Sequence, residues 1–196
     1  MEMVLTEVER LSGFIGDVLQ ANRVVHGQSR RIEAIAVAEM VAGIAAAVAR
    51  RQHIEAIDIA VDVPADLRLW TDPTAVETVL TNLIDNAVKY SDPPVEVRVV
   101  GRRDAKGRTT ISVIDHGIGL EKTEARRVFG RFYRVESEAV RRRRGTGLGL
   151  YVAHVLTRAL GGQLSLTSEG PGLGTTVHFT LGARAGQTPA QRGQEP

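Results

Sequence analysis

The chain has 196 residues, of which 43% are hydrophobic, and a formal net charge of +2. This length and composition predict one ordinary domain with a hydrophobic core plus an appendage, and the near balance of charge argues against nucleic acid as a partner. There is no cysteine, which excludes disulfides and cysteine-ligated metals and is typical of a reducing, cytoplasmic compartment.

Apolar residues repeat at heptad spacing near the start of the chain. One set is Met1, Val8, Ile15 and Asn22, and the other is Val4, Leu11, Val18 and Val25, with only Asn22 polar. This a/d pattern is typical of a coiled coil. It predicts either half of a dimerising helical hairpin over 1–26 or an amphipathic helix that lies on its own domain. Gly27-Gln28-Ser29 interrupts the pattern, so 27–36 is predicted to be a linker.

The rest of the chain alternates between strand and helix patterns. Helices are predicted at 37–51, about 72–90 and 148–160, the second capped by Thr71 or Asp72 with Pro73 in its first turn. Strands are predicted at 55–63, 67–70, 95–100, 109–114, 164–167 and 175–181. The fold class is therefore α/β, an α+β two-layer sandwich in which a mixed sheet has helices on one face. Residues 183–196 are expected to be disordered.

No signal peptide is visible, and the most apolar stretch, 34–49, is too short for a membrane span and contains Glu39. Any membrane attachment is expected to come from parent segments that this chain lacks. A long irregular stretch separates Gly117 from Thr146. A connection of that length is usually functional.

The second predicted helix places polar side chains together. Its apolar residues share one face at about 100° per residue, whereas Asn82, Asn86 and Lys89 share another. An amide oxygen suits Mg²⁺, and an ammonium neutralises phosphate charge. The alternative interpretation is a solvated polar face.

Asp115 follows an apolar run, where a strand would end. A carboxylate there can accept a hydrogen bond from an exocyclic amine and so distinguish adenine from guanine. Gly117 and Gly119 are expected to take φ > 0 and to let the backbone approach a ligand. The alternative is an ordinary turn that contains aspartate and glycine.

Two segments follow in the irregular stretch. Residues 129–134 (FGRFYR) are rich in aromatics and are expected to anchor the loop, while 145–150 (GTGLGL) open a helix. Free N–H groups and the dipole at a helix start form an anion site. The arginine run 141–144 before it is either a solvated loop or an element that steers phosphates.

Four islands, at 82–90, 115–119, 129–134 and 145–150, resemble in order and spacing the N, G1, F and G2 boxes of the ATP-binding catalytic domain of sensor histidine kinases. That domain belongs to the wider family of gyrase, the Hsp90 chaperone and MutL. The likeness covers roughly 37–181 and implies a Bergerat-type ATP fold over 37–182.

Relatives that hydrolyse ATP have a glutamate where this chain has Asn82. An asparagine cannot accept a proton, which favours transfer to a partner. His116 departs from the usual asparagine.

The resemblance implies roles for individual residues. Asn86 would bind Mg²⁺ and Asn82 would position the triphosphate, these two acting with Lys89 as catalytic residues. Arg134 would approach the γ-phosphate, and Thr176, rather than Thr175, would touch adenine through water. The residues implied to bind ATP are Asn82, Asn86, Lys89, Tyr90, Asp115, Gly117, Gly119, Arg134, Gly145, Thr146, Gly147, Leu148, Gly149 and Thr176.

The resemblance also implies a reaction and partners. The γ-phosphoryl of ATP would move to a histidine on a dimerisation helix. None of the five histidines precedes an acid and then a proline, so the acceptor is expected on a missing upstream segment or another chain. The implied partners are a histidine-bearing dimerisation domain, a response regulator receiver domain and a second copy of the full protein. The alternatives are an anti-sigma-type serine kinase and a non-catalytic nucleotide-sensing or interaction module.

Overall fold

The computed structural model describes residues 31–51, 56–143 and 145–183. The predicted helix over 1–26 and nearly all of the predicted disordered tail lie outside the described residues. The elements in chain order are β1 (Glu33–Ala36), α1 (Val37–Arg51), β2 (Ile57–Asp62), β3 (Arg68–Thr71), α2 (Pro73–Lys89), β4 (Val95–Arg103), β5 (Thr109–Asp115), a 3₁₀ turn (Arg127–Phe129), α3 (Glu138–Arg142), α4 (Gly149–Ala159), β6 (Gln163–Thr167) and β7 (Thr175–Leu181).

Five of these strands form a mixed sheet in the order β2-β4-β5-β7-β6. β2 runs parallel to β4, and the other neighbours are antiparallel. Val99, Val113 and Val177 lie opposite one another across the sheet and are all buried. Because side chains alternate along a strand, one face of the sheet is apolar, and α1, α2 and α4 pack on it. This confirms the predicted two-layer sandwich.

Helix α2 begins and ends as its sequence predicts. Asp72, rather than Thr71, is the N-cap, and its carboxylate accepts a hydrogen bond of 3.1 Å from the backbone N–H of Ala75. Pro73 has no N–H to satisfy and occupies the first position of the helix. The apolar face packs into the core through Ala75, Val76, Val79, Leu80, Leu83, Ile84, Ala87 and Val88. The polar face is therefore held at a defined rotation beside the sheet.

One short strand was not expected. β1 lies inside the stretch predicted as linker and pairs antiparallel with β3 in a separate two-stranded sheet. Ile35 lies opposite Leu69, and both are buried. The stretch predicted as linker therefore includes a strand that the sequence did not reveal, because four residues are too few to show a period and only packing against the core makes them a strand. The domain boundaries themselves stay predictions.

Among the described residues, no helix combines the length and the apolar character needed to cross a membrane.

Candidate functional site

A cavity of about 980 Å³ lies between α2, the end of β5, the start of α4 and the loop that joins β5 to α4. Cavities of this size accommodate cofactors and other small ligands. All four islands contribute to its lining. The predicted site residues that line it are Asn82, Asn86, Lys89, Tyr90, Asp115, Gly119, Arg134, Gly145, Thr146, Gly147, Leu148 and Gly149. Gly117 and Thr176 are not among the lining residues.

The amide side chains of α2 meet the start of α4. Asn82 Nδ2 donates a hydrogen bond of 2.9 Å to the Thr78 carbonyl one turn earlier, which orients its carboxamide. A Cβ atom at Gly149 would lie 2.6 Å from Asn82 Oδ1 and 3.5 Å from Asn86 Nδ2. Glycine thus permits the first turn of α4 to approach both amides. Within the part of the chain that the structure describes, no side chain caps α4, so its first N–H groups are available to an anion in the cavity.

Lys89 and Tyr90 lie where α2 ends. The Lys89 ammonium is 4.9 Å from the centroid of the Tyr90 ring, and a Cβ atom at Gly145 would lie 2.0 Å from Lys89 Nζ. The loop before α4 therefore packs directly onto this ammonium. Burial raises the pKa of the Tyr90 hydroxyl, an effect that the nearby charge of Arg134 opposes. Tyr90 is consequently a neutral phenol at physiological pH.

The Asp115 carboxylate is held by the backbone and by one threonine. It is 6% exposed, and its Oδ1 accepts hydrogen bonds from the N–H groups of Gly117 (2.9 Å) and Thr175 (3.1 Å). Its Oδ2 accepts a hydrogen bond from the Thr175 hydroxyl. A carboxylate has about four acceptor sites. Acceptor capacity therefore remains for one more donor from a ligand in the cavity.

The turn after Asp115 interlocks with the turn between β6 and β7. Gly119 takes φ of 61°, as expected, and a Cβ atom there would lie 2.1 Å from the Gly170 carbonyl oxygen. The Ser168 hydroxyl accepts a hydrogen bond of 3.0 Å from the N–H of Leu120 and donates one of 2.7 Å to the Gly174 carbonyl. Ser168 was not predicted, because no periodic or charge signal marks a serine that joins two turns.

The structure corrects one expectation about Gly117 and bears on the choice between Thr175 and Thr176. Gly117 has no positive φ; glycine is needed there because a Cβ atom would lie 2.3 Å from the Tyr90 carbonyl oxygen. Thr175 lines the cavity and Thr176, preferred over it, does not; the contact of Thr176 with adenine through water stays a prediction. Thr175 shares the buried face of β7 with Val177 because side chains alternate along a strand.

The loop between Gly117 and Thr146, called the lid below, is held by polar contacts. The Tyr133 hydroxyl donates to the Glu124 carboxylate, which anchors the aromatic segment as expected, whereas Phe132 is 59% exposed. Arg134 Nη2 donates to the carbonyl oxygens of Val140 and Arg143. The guanidinium of Arg134 therefore orders the lid, and its approach to a γ-phosphate stays a prediction.

A family model described as "Histidine kinase-, DNA gyrase B-, and HSP90-like ATPase" matches residues 71–185, more than half of the chain. The chain belongs to this family. Its relatives include the sensor-like histidine kinase SenX3 of Mycolicibacterium smegmatis, which is 34% identical over 92% of this chain and 46% of its own length. The sensor histidine kinase WalK of Bacillus subtilis is 39% identical over 67% of this chain and 21% of its own length. The chain thus spans less than half of the curated relatives that it matches.

Solved structures agree with the fold. The mycobacterial sensor histidine kinase MprB superposes with a TM-score of 0.69 at 26% sequence identity, and the match covers 79% of this chain and 99% of the MprB chain. Full-length ShkA in complex with AMPPNP superposes with a TM-score of 0.73 at 24% identity, over 91% of this chain and 37% of its own. The MprB chain is thus covered almost completely by this fold.

Proposed function

We propose that this chain is the ATP-binding catalytic domain of a sensor histidine kinase and transfers the γ-phosphoryl of ATP to a histidine. The observation that supports this most is one cavity lined by two amides, an ammonium, a buried carboxylate and an uncapped helix N-terminus. Each group suits a different part of ATP. Curated relatives that include SenX3 and WalK are named as histidine kinases, which favours this reaction over others in the family.

At the base end, the Asp115 carboxylate accepts a hydrogen bond from the exocyclic amine of adenine. Guanine has a carbonyl at the equivalent place. This carbonyl and the carboxylate would both be hydrogen-bond acceptors, so no hydrogen bond could form between them. Burial of the Asp115 side chain makes such a mismatch costly, because an unsatisfied buried acceptor loses its solvation. The proposed substrate is therefore ATP rather than GTP.

At the phosphate end, Asn82, Lys89 and the first turn of α4 bind and orient the triphosphate. The described part of the chain has no cluster of three or more His, Cys, Asp or Glu placed to hold a metal. This fits Mg²⁺, which uses few protein oxygens together with phosphates and water, and Asn86 Oδ1 is its proposed protein ligand. Bound Mg²⁺ would neutralise phosphate charge. The rest of the catalysis is positioning in the cavity.

The acceptor histidine is proposed to come from a dimerisation domain of the parent protein, and a response regulator receiver domain is proposed to take the phosphoryl group onward. A parent that dimerises through such a domain would be a homodimer. Phe132 and Arg131 are both exposed on the lid, with the guanidinium 5.1 Å from the ring centroid, and a partner domain can reach them.

The test is transfer of a labelled γ-phosphate from ATP to a supplied histidine-bearing hairpin domain. Asn86→Ala should lower the rate of phosphoryl transfer by about 100-fold or more. Mutation of residues that only support metal ligands costs about 10–100-fold, and Asn86 is proposed as a direct ligand. Gln163→Ala is the matched control, because it deletes an exposed carboxamide that does not line the cavity. Transfer by Asn86→Ala at the wild-type rate would refute the metal role. Labelling of a serine would favour the serine kinase, and no nucleotide binding at all would favour the non-catalytic module.

A further inference from the structure

One arginine of the basic run, Arg143, lies at the wall of the cavity and extends to the end of α2. Arg143 Nη1 donates hydrogen bonds to the carbonyl oxygens of Lys89 (2.7 Å) and Ser91 (2.8 Å), and its Nη2 donates to the Asp92 carboxylate. The Arg143 side chain is 24% exposed. The guanidinium therefore joins the lid to the segment that follows α2 through three separate acceptors.

These acceptors suit a cation. Lys89 is the last residue of α2, and the helix dipole places partial negative charge at that end. Asp92 adds a full negative charge. The planar guanidinium can reach several acceptors at once, whereas a lysine ammonium is a compact point charge on a flexible stem. The contact thus depends on the shape of arginine as well as its charge.

The same residue is tied into the lid through its backbone. The Arg143 carbonyl accepts a hydrogen bond of 2.7 Å from Arg134 Nη2, and its N–H donates one of 3.1 Å to the Val140 carbonyl. Two residues later, Gly145 packs against the Lys89 ammonium. Movement of the Arg143 side chain off α2 would therefore release the part of the lid that covers Lys89.

We propose that Arg143 is a positioning residue that holds the lid on the C-terminal end of α2 and thereby sets how long a nucleotide stays in the cavity. We call its contacts with the Lys89 carbonyl, the Ser91 carbonyl and the Asp92 carboxylate the latch. The arginine run was interpreted as either a solvated loop or an element that steers phosphates, and neither interpretation includes the three hydrogen bonds that Arg143 donates to the protein itself. The identity of the nucleotide rests on the proposed function, whereas the latch itself does not.

The first measurement is hydrogen–deuterium exchange of the whole chain without nucleotide. In Arg143→Ala, lid amides between Arg134 and Gly147 should exchange about tenfold faster, since three charge-assisted hydrogen bonds are lost, while the sheet exchanges as in wild type. Asp92→Ala should give a smaller increase. Arg126→Ala is the matched control, because it removes an exposed lid arginine that does not line the cavity. Unchanged lid exchange in both Arg143→Ala and Asp92→Ala would overturn the proposal, as would equal acceleration by Arg126→Ala.

The second measurement is the dissociation rate of a fluorescent ATP analogue, displaced by excess ATP. Arg143→Ala should release it about tenfold faster, with Arg143→Lys between Arg143→Ala and wild type. A release rate equal to that of wild type, despite faster lid exchange, would refute the link between the latch and residence time. If the wild-type chain bound no nucleotide, the proposed function would fail, and the exchange measurement would still decide whether the latch exists.

Discussion

Replacing Thr175 with valine tests the arrangement around the Asp115 carboxylate. Valine keeps the shape of threonine but lacks the hydroxyl that donates to Asp115 Oδ2. Both N–H groups that bind Oδ1 are backbone groups and survive the change. The substitution therefore removes one orienting hydrogen bond and leaves the others.

The size of the effect follows from the charge of the acceptor. A hydrogen bond to a charged group contributes about 1.5–3 kcal/mol, and because two other donors still hold the carboxylate, the lower end applies. A loss of about 1.4 kcal/mol weakens binding tenfold. Calorimetric titration with a non-hydrolysable ATP analogue should show this, and the preference for the adenine over the guanine nucleotide should shrink.

The adjacent threonine provides the control. Thr176 lies on the other face of β7 from Thr175 and pairs with Ile114 and Thr167 on the neighbouring strands. Thr176→Val should therefore change the dissociation constant of the ATP analogue by less than about twofold. The reasoning is refuted if Thr176→Val weakens binding more than Thr175→Val does. That outcome would restore the preference for Thr176 that the family resemblance implies.

Two further predictions concern backbone geometry and pH. Gly119→Ala should lower nucleotide affinity by more than tenfold and reduce stability, because it adds backbone strain of about 1–2 kcal/mol to a Cβ contact of 2.1 Å with a carbonyl. Gly172 also has a positive φ, but a Cβ atom there would meet nothing within 4 Å. Thermal unfolding should therefore show a smaller loss of stability for Gly172→Ala than for Gly119→Ala. Burial lowers the pKa of His178, and its ring nitrogen lies 2.8 Å from Ser112 Oγ. The unfolded chain takes up a proton below about pH 6.5, so the free energy of unfolding should fall between pH 7.5 and 5.5. Urea denaturation at pH 7.5 and 5.5 should show that the free energy of unfolding depends less on pH in His178→Gln than in wild type. An equal pH dependence in the two proteins would contradict this.

Much of the site could be predicted because its residues act through local patterns. The helical spacing of Asn82, Asn86 and Lys89 places them on one face whatever surrounds the helix, and the structure has all three lining the cavity. Asp115 ends a strand because an apolar run precedes it. The contact between Thr175 and Asp115 could not be predicted, because the sequence does not distinguish two adjacent threonines. Only the register of β7 with β5 decides which of them faces Asp115.

The sequence by itself determined the three long helices, the strands β2 to β7 in their order and the polar face of α2, and it narrowed the cap of α2 to Thr71 or Asp72, because hydrophobic period and capping chemistry act within a few residues along the chain. Tertiary structure alone decided that Glu33–Ala36 is a strand, that Gly117 must clear the Tyr90 carbonyl, and that Arg143 binds the end of α2. These features depend on groups up to 54 residues apart. Contacts between such distant parts of the chain arise only when the core packs, and no local pattern encodes them.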